Sequence, residues 1–175
     1  MAPPDVESFD EFAVFAIPRL RRVAYAYCRD WHHADDAVQG ALERVCAAWR
    51  RVRPGEAYGY TRATLVRLLV DEDRRAWRRH EITTEDVAVH ESAPRRGEPD
   101  GDPAASSEAD FFAVLAGLTS GQRAVVVLRY FENLSVSETA RVLRCSEGTV
   151  KSQAHAARRA LRPLLTEPVD RGAPR

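Results

Sequence analysis

Apolar residues recur along this chain at helical spacing, in two groups separated by a gap. In the first group, Ser8 with Glu11 three residues on has the form of a capping box, and Phe9, Phe12, Val14 and Phe15 follow it. Pro18 reads as the first turn of a new helix, because its ring and missing N–H disfavour a helix interior. Leu20, Val23, Ala24 and Tyr27 continue that helix. Asp35 and Asp36 read as the opening of the next, where carboxylates meet the positive end of the helix dipole. Its apolar face is Ala37, Val38, Ala41, Leu42, Val45 and Trp49, and RPGEAYG (53–59) reads as a turn. A third long helix runs from Tyr60 to Arg79 with Leu65, Leu68 and Leu69 inward, and it ends in the very basic DRRAWRRH (73–80).

In the second group, Phe111, Phe112, Val114, Leu115 and Leu118 make one helix face. Thr119 with Gln122 is a capping box leading into Ala124 to Phe131, and Ser135 with Glu138 is another, for a short helix through Leu143. Arg144 and Cys145 turn, and Ser146 caps a last helix carrying CSEGTVKSQAHAARRAL (145–161). No stretch carries a competing strand pattern, since the VVV of 125–127 lies within a helical period. The predicted fold is therefore all-α.

Between the groups, APRRGEPDGDPAASS (93–107) has three prolines, two glycines and no large apolar residue. Such a segment buries too little surface to offset its ordering entropy. The expected organisation is two small helical domains, 8–82 and 108–165, joined by a flexible acidic linker over 83–107. Charge sharpens this picture. The whole chain balances 26 basic against 26 acidic residues, yet 81–110 holds nine acids against Arg95 and Arg96, while 111–175 holds ten Lys/Arg against five acids. A partner feels such local fields, because screening acts over about 8 Å in physiological salt.

The basic excess gathers on the last helix. Helix, tight turn and helix, with small Ala140 at the crossing, is the helix-turn-helix pattern. Val136, Val142, Leu143, Val150, Ala154, Ala157 and Leu161 supply its core side. Thr149, Lys151, Ser152 and His155 fall in the half that enters a major groove, where Lys and Ser can reach base edges. Arg158 and Arg159, with Arg162 beyond them, suit phosphate contacts. Ser146 and Gly148 lie at the helix N-terminus, itself favourable for an anion. A basic solvated surface helix would share the composition but not the capped helix and small crossing residue before it.

Two separated motifs now look familiar together. DWHHADDAVQGALERVCAAW (30–49) resembles the second-region helix of the extracytoplasmic-function sigma factors, usually written with a D-x-x-D-L-x-Q-E core. ENLSVSETARVLRCSEGTVKSQAHAARRAL (132–161) resembles their fourth region, usually ending G-T-V-K-S-R. The resemblance implies a region 2-like bundle and a region 4-like helix-turn-helix that bind core RNA polymerase and promoter DNA. It places Asp35, Asp36, Val38, Gln39, Leu42 and Arg44 against the polymerase. It places Tyr58, Tyr60, Arg62, Arg67, Arg74, Arg75, Trp77 and Arg78 at the −10 element, where unpaired bases stack on aromatic rings and arginines track the backbone. It places Ser146, Gly148, Thr149, Lys151, Ser152, His155, Arg158 and Arg159 at the −35 element. The chain departs from the pattern at Ala37 (usually Leu), Gly40 (usually acidic), Arg67 (often Asn) and Gln153 (usually Arg), which bears on the promoter sequence read. With ten residues after Leu165, no C-terminal regulatory domain is expected, and control is expected from outside, through an anti-sigma factor.

Two other readings stay open. One is a helix-turn-helix regulator whose N-terminal lobe binds a partner, and the other is a polymerase- or anti-sigma-binding protein that never initiates. An enzyme is not expected: no phosphate-cradling glycine loop appears, and no nucleophile is paired with a base. Cys28, His32 and His33 lack a second ligand pair at zinc spacing, and a helix C-terminus would suit the histidines. No metal, cofactor or small-molecule substrate is called for. The N-terminus is acidic where a secretory signal would be basic, no apolar run approaches a membrane span of roughly 20 residues, and the three cysteines are scattered. The expected location is the cytoplasm.

Overall fold

The computed structural model describes residues 8–53, 55–83, 115 and 117–166. The expected linker beyond Thr83, the apolar residues Phe111, Phe112 and Val114, and the side chain of Trp77 lie outside the described residues. Every regular element described is helical: α1 (Phe9–Cys28), α2 (Trp31–Ala48), α3 (Ala57–Thr83), α4 (Ser120–Val126), α5 (Val136–Leu143) and α6 (Glu147–Thr166). A 3₁₀ turn (Trp49–Arg51) follows α2, and a π-helical segment (Val127–Phe131) continues α4. No helix among the described residues is long and apolar enough to cross a membrane.

Local chemistry sets most boundaries. Ser8 Oγ accepts from Glu11 N–H, and reciprocal capping boxes close at Thr119/Gln122 and Ser135/Glu138. Three starts differ from the sequence expectation, the first being α3, which begins at Ala57 within the expected 53–59 turn and three residues before Tyr60. Pro18 lies inside α1 and begins no new helix. It is exposed one turn after exposed Val14, so the Val14 carbonyl that loses its N–H partner lies on a solvent-facing side of the helix. The second helix opens at Trp31, with Asp30 as its cap accepting from His33 N–H at 3.1 Å; Asp35 and Asp36 sit a turn further in. Arg29, in the left-handed region at φ 60°, ends α1 immediately before. His32 and His33 are therefore in a first turn and not a last one. What offsets the dipole there is Glu72 on α3, whose carboxylate lies 2.8 Å from His33 Nε2.

Backbone hydrogen bonds at the cap hold the Asp30 carboxyl below its usual range, so its contribution to folding is present above the unfolded carboxylate value of about 3.9 and fades as pH falls through the lower folded value. Asp30→Ala should cost about 1 kcal/mol at pH 7. The melting-temperature gap between the two proteins should narrow below about pH 4, the range in which the cap protonates; an unchanged gap at pH 2.5 would show that the charge contributes nothing.

The two sequence groups do not form separate cores. One apolar cluster contains Phe12, Leu20, Tyr27, Leu65 and Leu69 from the N-terminal half together with Leu115, Leu118, Leu128, Val142 and Ala157 from the C-terminal half. Val125, Ala140, Val150 and Ala154 make a smaller cluster within the helix-turn-helix. Polar ties reinforce the junction in both directions. Arg123 donates to the Tyr27 carbonyl at the end of α1, and Arg67 donates to the Val142 and Arg141 carbonyls at the end of α5. Each arginine thus satisfies orphan carbonyls on a helix of the other half.

Candidate nucleic-acid interface

α6 is built as a two-sided helix. Val150, Ala154 and Ala157 are buried, while Glu147, Gly148, Lys151, Ser152, His155, Arg158, Arg159 and Arg162 are exposed. Lys151, His155, Arg158 and Arg162 recur at i, i+4, i+7 and i+11, which places four basic or titratable side chains on one outward stripe. Ser146 Oγ accepts from Thr149 N–H at 3.0 Å and shares a hydrogen bond with Thr149 Oγ1 at 2.9 Å. Those two hydroxyls are engaged in the cap although both residues are exposed. Ser152 Oγ donates back to the Thr149 carbonyl. Gln153 lies away from the stripe, with its side chain against Gly121 of α4, so this departure from the family pattern does not alter the outward face. Arg144, in the left-handed region at φ 53°, makes the turn between α5 and α6.

The candidate −10 residues on α3 divide into two sets. Tyr60, Arg67, Arg74 and Arg78 are spaced by seven, seven and four residues and so share a face; Tyr60, Arg74 and Arg78 are exposed. Arg75 is exposed on a neighbouring face. Arg67 is held against α5 by its two carbonyls, a reach that asparagine would not have, and burial lowers its guanidinium's affinity for its proton. Tyr58 and Arg62 form the second set, turned into the junction between the halves. Tyr58 is 7 % exposed and its hydroxyl bonds Glu132; burial first, and then the Glu132 charge, push its pKa up. The structure brings Arg19, Tyr58 and Arg62 together around Glu132, a grouping absent from the sequence reading. Glu132 follows the π-helical segment, whose widened turn is marked by its N–H donating to Val127 O. No local pattern marks this carboxylate, because its partners lie 70 to 113 residues away in sequence.

On the far side of the N-terminal half, α1 and α2 frame an open apolar groove of about 710 Å³. Val38 and Leu42 form its floor with Phe9 and Ile17, and Arg21, Asp35, Gln39 and Glu43 stand along its rim. Arg21 Nη2 donates to Asp35 Oδ2 at 3.0 Å, and Gln39 Nε2 donates to Glu43 Oε1 at 3.1 Å. Four of the candidate polymerase-contact residues therefore converge, while exposed Asp36 and Arg44 do not line the groove. The contribution of Phe9, Ile17 and Arg21 was missed because no single-helix pattern joins α1 to α2. Trp49 packs inward, its ring 5.4 Å from Phe9 and 5.1 Å from Phe12. Elsewhere, Cys28 Sγ donates to the Asp30 carbonyl and burial pushes its thiol up to about 11, away from the thiolate a metal would need.

Comparison with known proteins points to one family. Residues 16–79 match the family described as Sigma-70 region 2, and residues 110–161 match Sigma-70, region 4. The RNA polymerase sigma-E factor of Streptomyces coelicolor is 33 % identical over 164 residues, covering 92 % of this chain and 88 % of the relative. The ECF RNA polymerase sigma factor SigL of Mycobacterium tuberculosis is 33 % identical over 166 residues, covering 91 % and 87 %. Among solved structures, the sigma factor RpoE in complex with the anti-sigma factor NepR from Bartonella quintana superposes with a TM-score of 0.67 at 26 % identity, over 95 % of this chain and all of that one. CnrH in complex with the cytosolic domain of CnrY gives 0.59 at 25 % identity, over 90 % and 86 %.

Proposed function

The chain belongs to the extracytoplasmic-function RNA polymerase sigma factors, which direct promoter-specific transcription initiation, and on that premise we propose how its surfaces divide the task. α6 reads the −35 element: Lys151, Ser152 and His155 meet base edges in the major groove, while Arg158, Arg159 and Arg162 hold phosphates. The outward stripe on a helix whose opposite face is locked in the core carries this reading, since it fixes which side chains can face a groove. The basic, aromatic face of α3 follows the opened −10 strand. The α1–α2 groove seats core polymerase, with Val38 and Leu42 as apolar anchors and Asp35 and Gln39 at the rim. Residues 8–82 and 108–165 act as the two DNA-engaging units, joined through 83–107. The polymerase supplies the chemistry, so the protein works in the cytoplasm where the enzyme is. The solved relative RpoE is in complex with the anti-sigma factor NepR, which supports an anti-sigma factor as the regulator.

Run-off transcription from fragmented bacterial genomic DNA, using sigma-free core polymerase and mapped RNA 5′ ends, tests the whole assignment. Start sites sharing elements near −35 and −10 are expected. Binding to core without any starts would make the chain a non-initiating partner, and duplex binding without core would make it a regulator. Leu42→Asp places an unpaired charge in the apolar groove and should weaken core binding at least about tenfold with helicity retained. Arg44→Ala, outside the groove, should stay within about twofold. Equal effects of the two in a core-binding titration would remove the groove from the interface.

A further inference from the structure

Among the described residues Glu132 is the one buried carboxylate, with its side chain 1 % exposed. Such a group is costly to bury unless several donors meet it. Arg62 Nη1 donates to Oε2 at 2.8 Å, Arg19 Nε and Nη2 donate to the two oxygens at 3.2 and 3.4 Å, and the Tyr58 hydroxyl lies 3.3 Å from both. All these donors come from α1 and α3, whereas the acceptor comes from the other half of the molecule. The two guanidiniums also sit 4.7 and 5.6 Å from the centre of the Tyr58 ring, which keeps them in place. Arg62 Nε is buried with no acceptor, so the cradle has a donor that Glu132 does not use. Arg19, half exposed, leaves one side open to solvent.

Two arginines and a hydroxyl converging on a singly charged, two-oxygen anion would suit a phosphodiester as well as a carboxylate. We infer that Arg19, Arg62 and Tyr58 form a phosphate site for single-stranded nucleic acid, which Glu132 occupies while the halves are packed together. This rests on the sigma-factor reading and adds to it Arg19 as a backbone contact and Glu132 as its internal competitor. Glu132 and a backbone phosphate exclude one another, so nucleic acid enters the cradle only when the halves part. The same parting releases Arg67 from the α5 carbonyls and completes the basic stripe of α3.

The test is anisotropy titration of a labelled short oligothymidylate against the full chain across a salt series. Glu132→Gln keeps the shape and an acceptor but removes the charge, and it should tighten binding about tenfold. Adding Arg19→Ala in that background should flatten the slope of log K against log salt by about 0.7, the loss of one single-strand phosphate contact. Unchanged affinity in the glutamine variant, or an unchanged slope on removing Arg19, would overturn the inference. Hydrogen exchange on the wild-type chain needs no substitution at 132. The Glu132 and Leu134 amides, bonded to Val127 and Leu128 carbonyls, should exchange faster when oligonucleotide is added, and unaltered exchange would count against displacement. Co-elution of the wild-type chain with core polymerase judges the polymerase role separately, so failure of that reading and failure of the cradle give different results.

Discussion

Leu128→Ala is expected to cost about 3 kcal/mol and to lower the stability of both halves of the molecule together. Leu128 is fully buried in the C-terminal half, yet it belongs to the same apolar cluster as Leu20, Tyr27, Leu65 and Leu69. Removing its branched end leaves a cavity that the surrounding helices can only partly close, so a transfer loss and a cavity loss add. All three tryptophans, Trp31, Trp49 and Trp77, lie in the N-terminal half, which makes tryptophan fluorescence a reporter of the half that is not mutated. With a urea dependence of about 2 kcal/mol per molar, the fluorescence midpoint should fall by roughly 1.5 M, in step with the far-ultraviolet signal. A fluorescence midpoint that stayed put while ellipticity shifted would mean that the halves unfold independently and that the shared cluster contributes little to cohesion.

Lys151→Ala is expected to erase most of the preference for a matched −35 duplex over a scrambled one, a loss of about 1–3 kcal/mol in discrimination. Arg159→Ala should weaken both duplexes alike and flatten the salt slope by about 0.9, the signature of one released phosphate contact on duplex DNA. The difference follows from position. Lys151 is exposed in the first half of α6, about one turn from its N-terminus, whereas Arg159 is exposed two turns further on, so in the proposed docking Lys151 is the nearer to base edges and Arg159 the nearer to the phosphate backbone. Neither side chain packs into the core, so neither change should alter folding. Competition titrations with matched and scrambled duplexes at several salt concentrations separate the two effects, and equal losses for both substitutions on both duplexes would contradict the division between reading and positioning.

These two experiments divide along a physical line between what neighbours in sequence decide and what distant residues decide. The capping boxes at Thr119/Gln122 and Ser135/Glu138, the turn at Arg144 and the two-sided character of α6 were legible in the sequence, because each depends on contacts three or four residues apart. The all-α class and the helix-turn-helix follow from such contacts summed along the chain. Where tertiary packing competes with a local preference, the local reading failed. Pro18 is accommodated inside α1 because its side of the helix is exposed, and His33 lies in the first turn of α2, behind the Asp30 cap, with its ring against Glu72 on α3.

The sequence by itself therefore determined the all-α class, the capping boxes at Thr119/Gln122 and Ser135/Glu138, the basic outward stripe of α6 and, through two separated motifs, the family. Only the tertiary structure decided that the halves share a core, that Phe9 and Ile17 complete the α1–α2 groove, and that Arg19, Tyr58 and Arg62 surround Glu132. The reason is that a buried carboxylate is stabilised by whichever cations folding brings to it, and here those lie 70 to 113 residues away along the chain, beyond the reach of any helical or strand period.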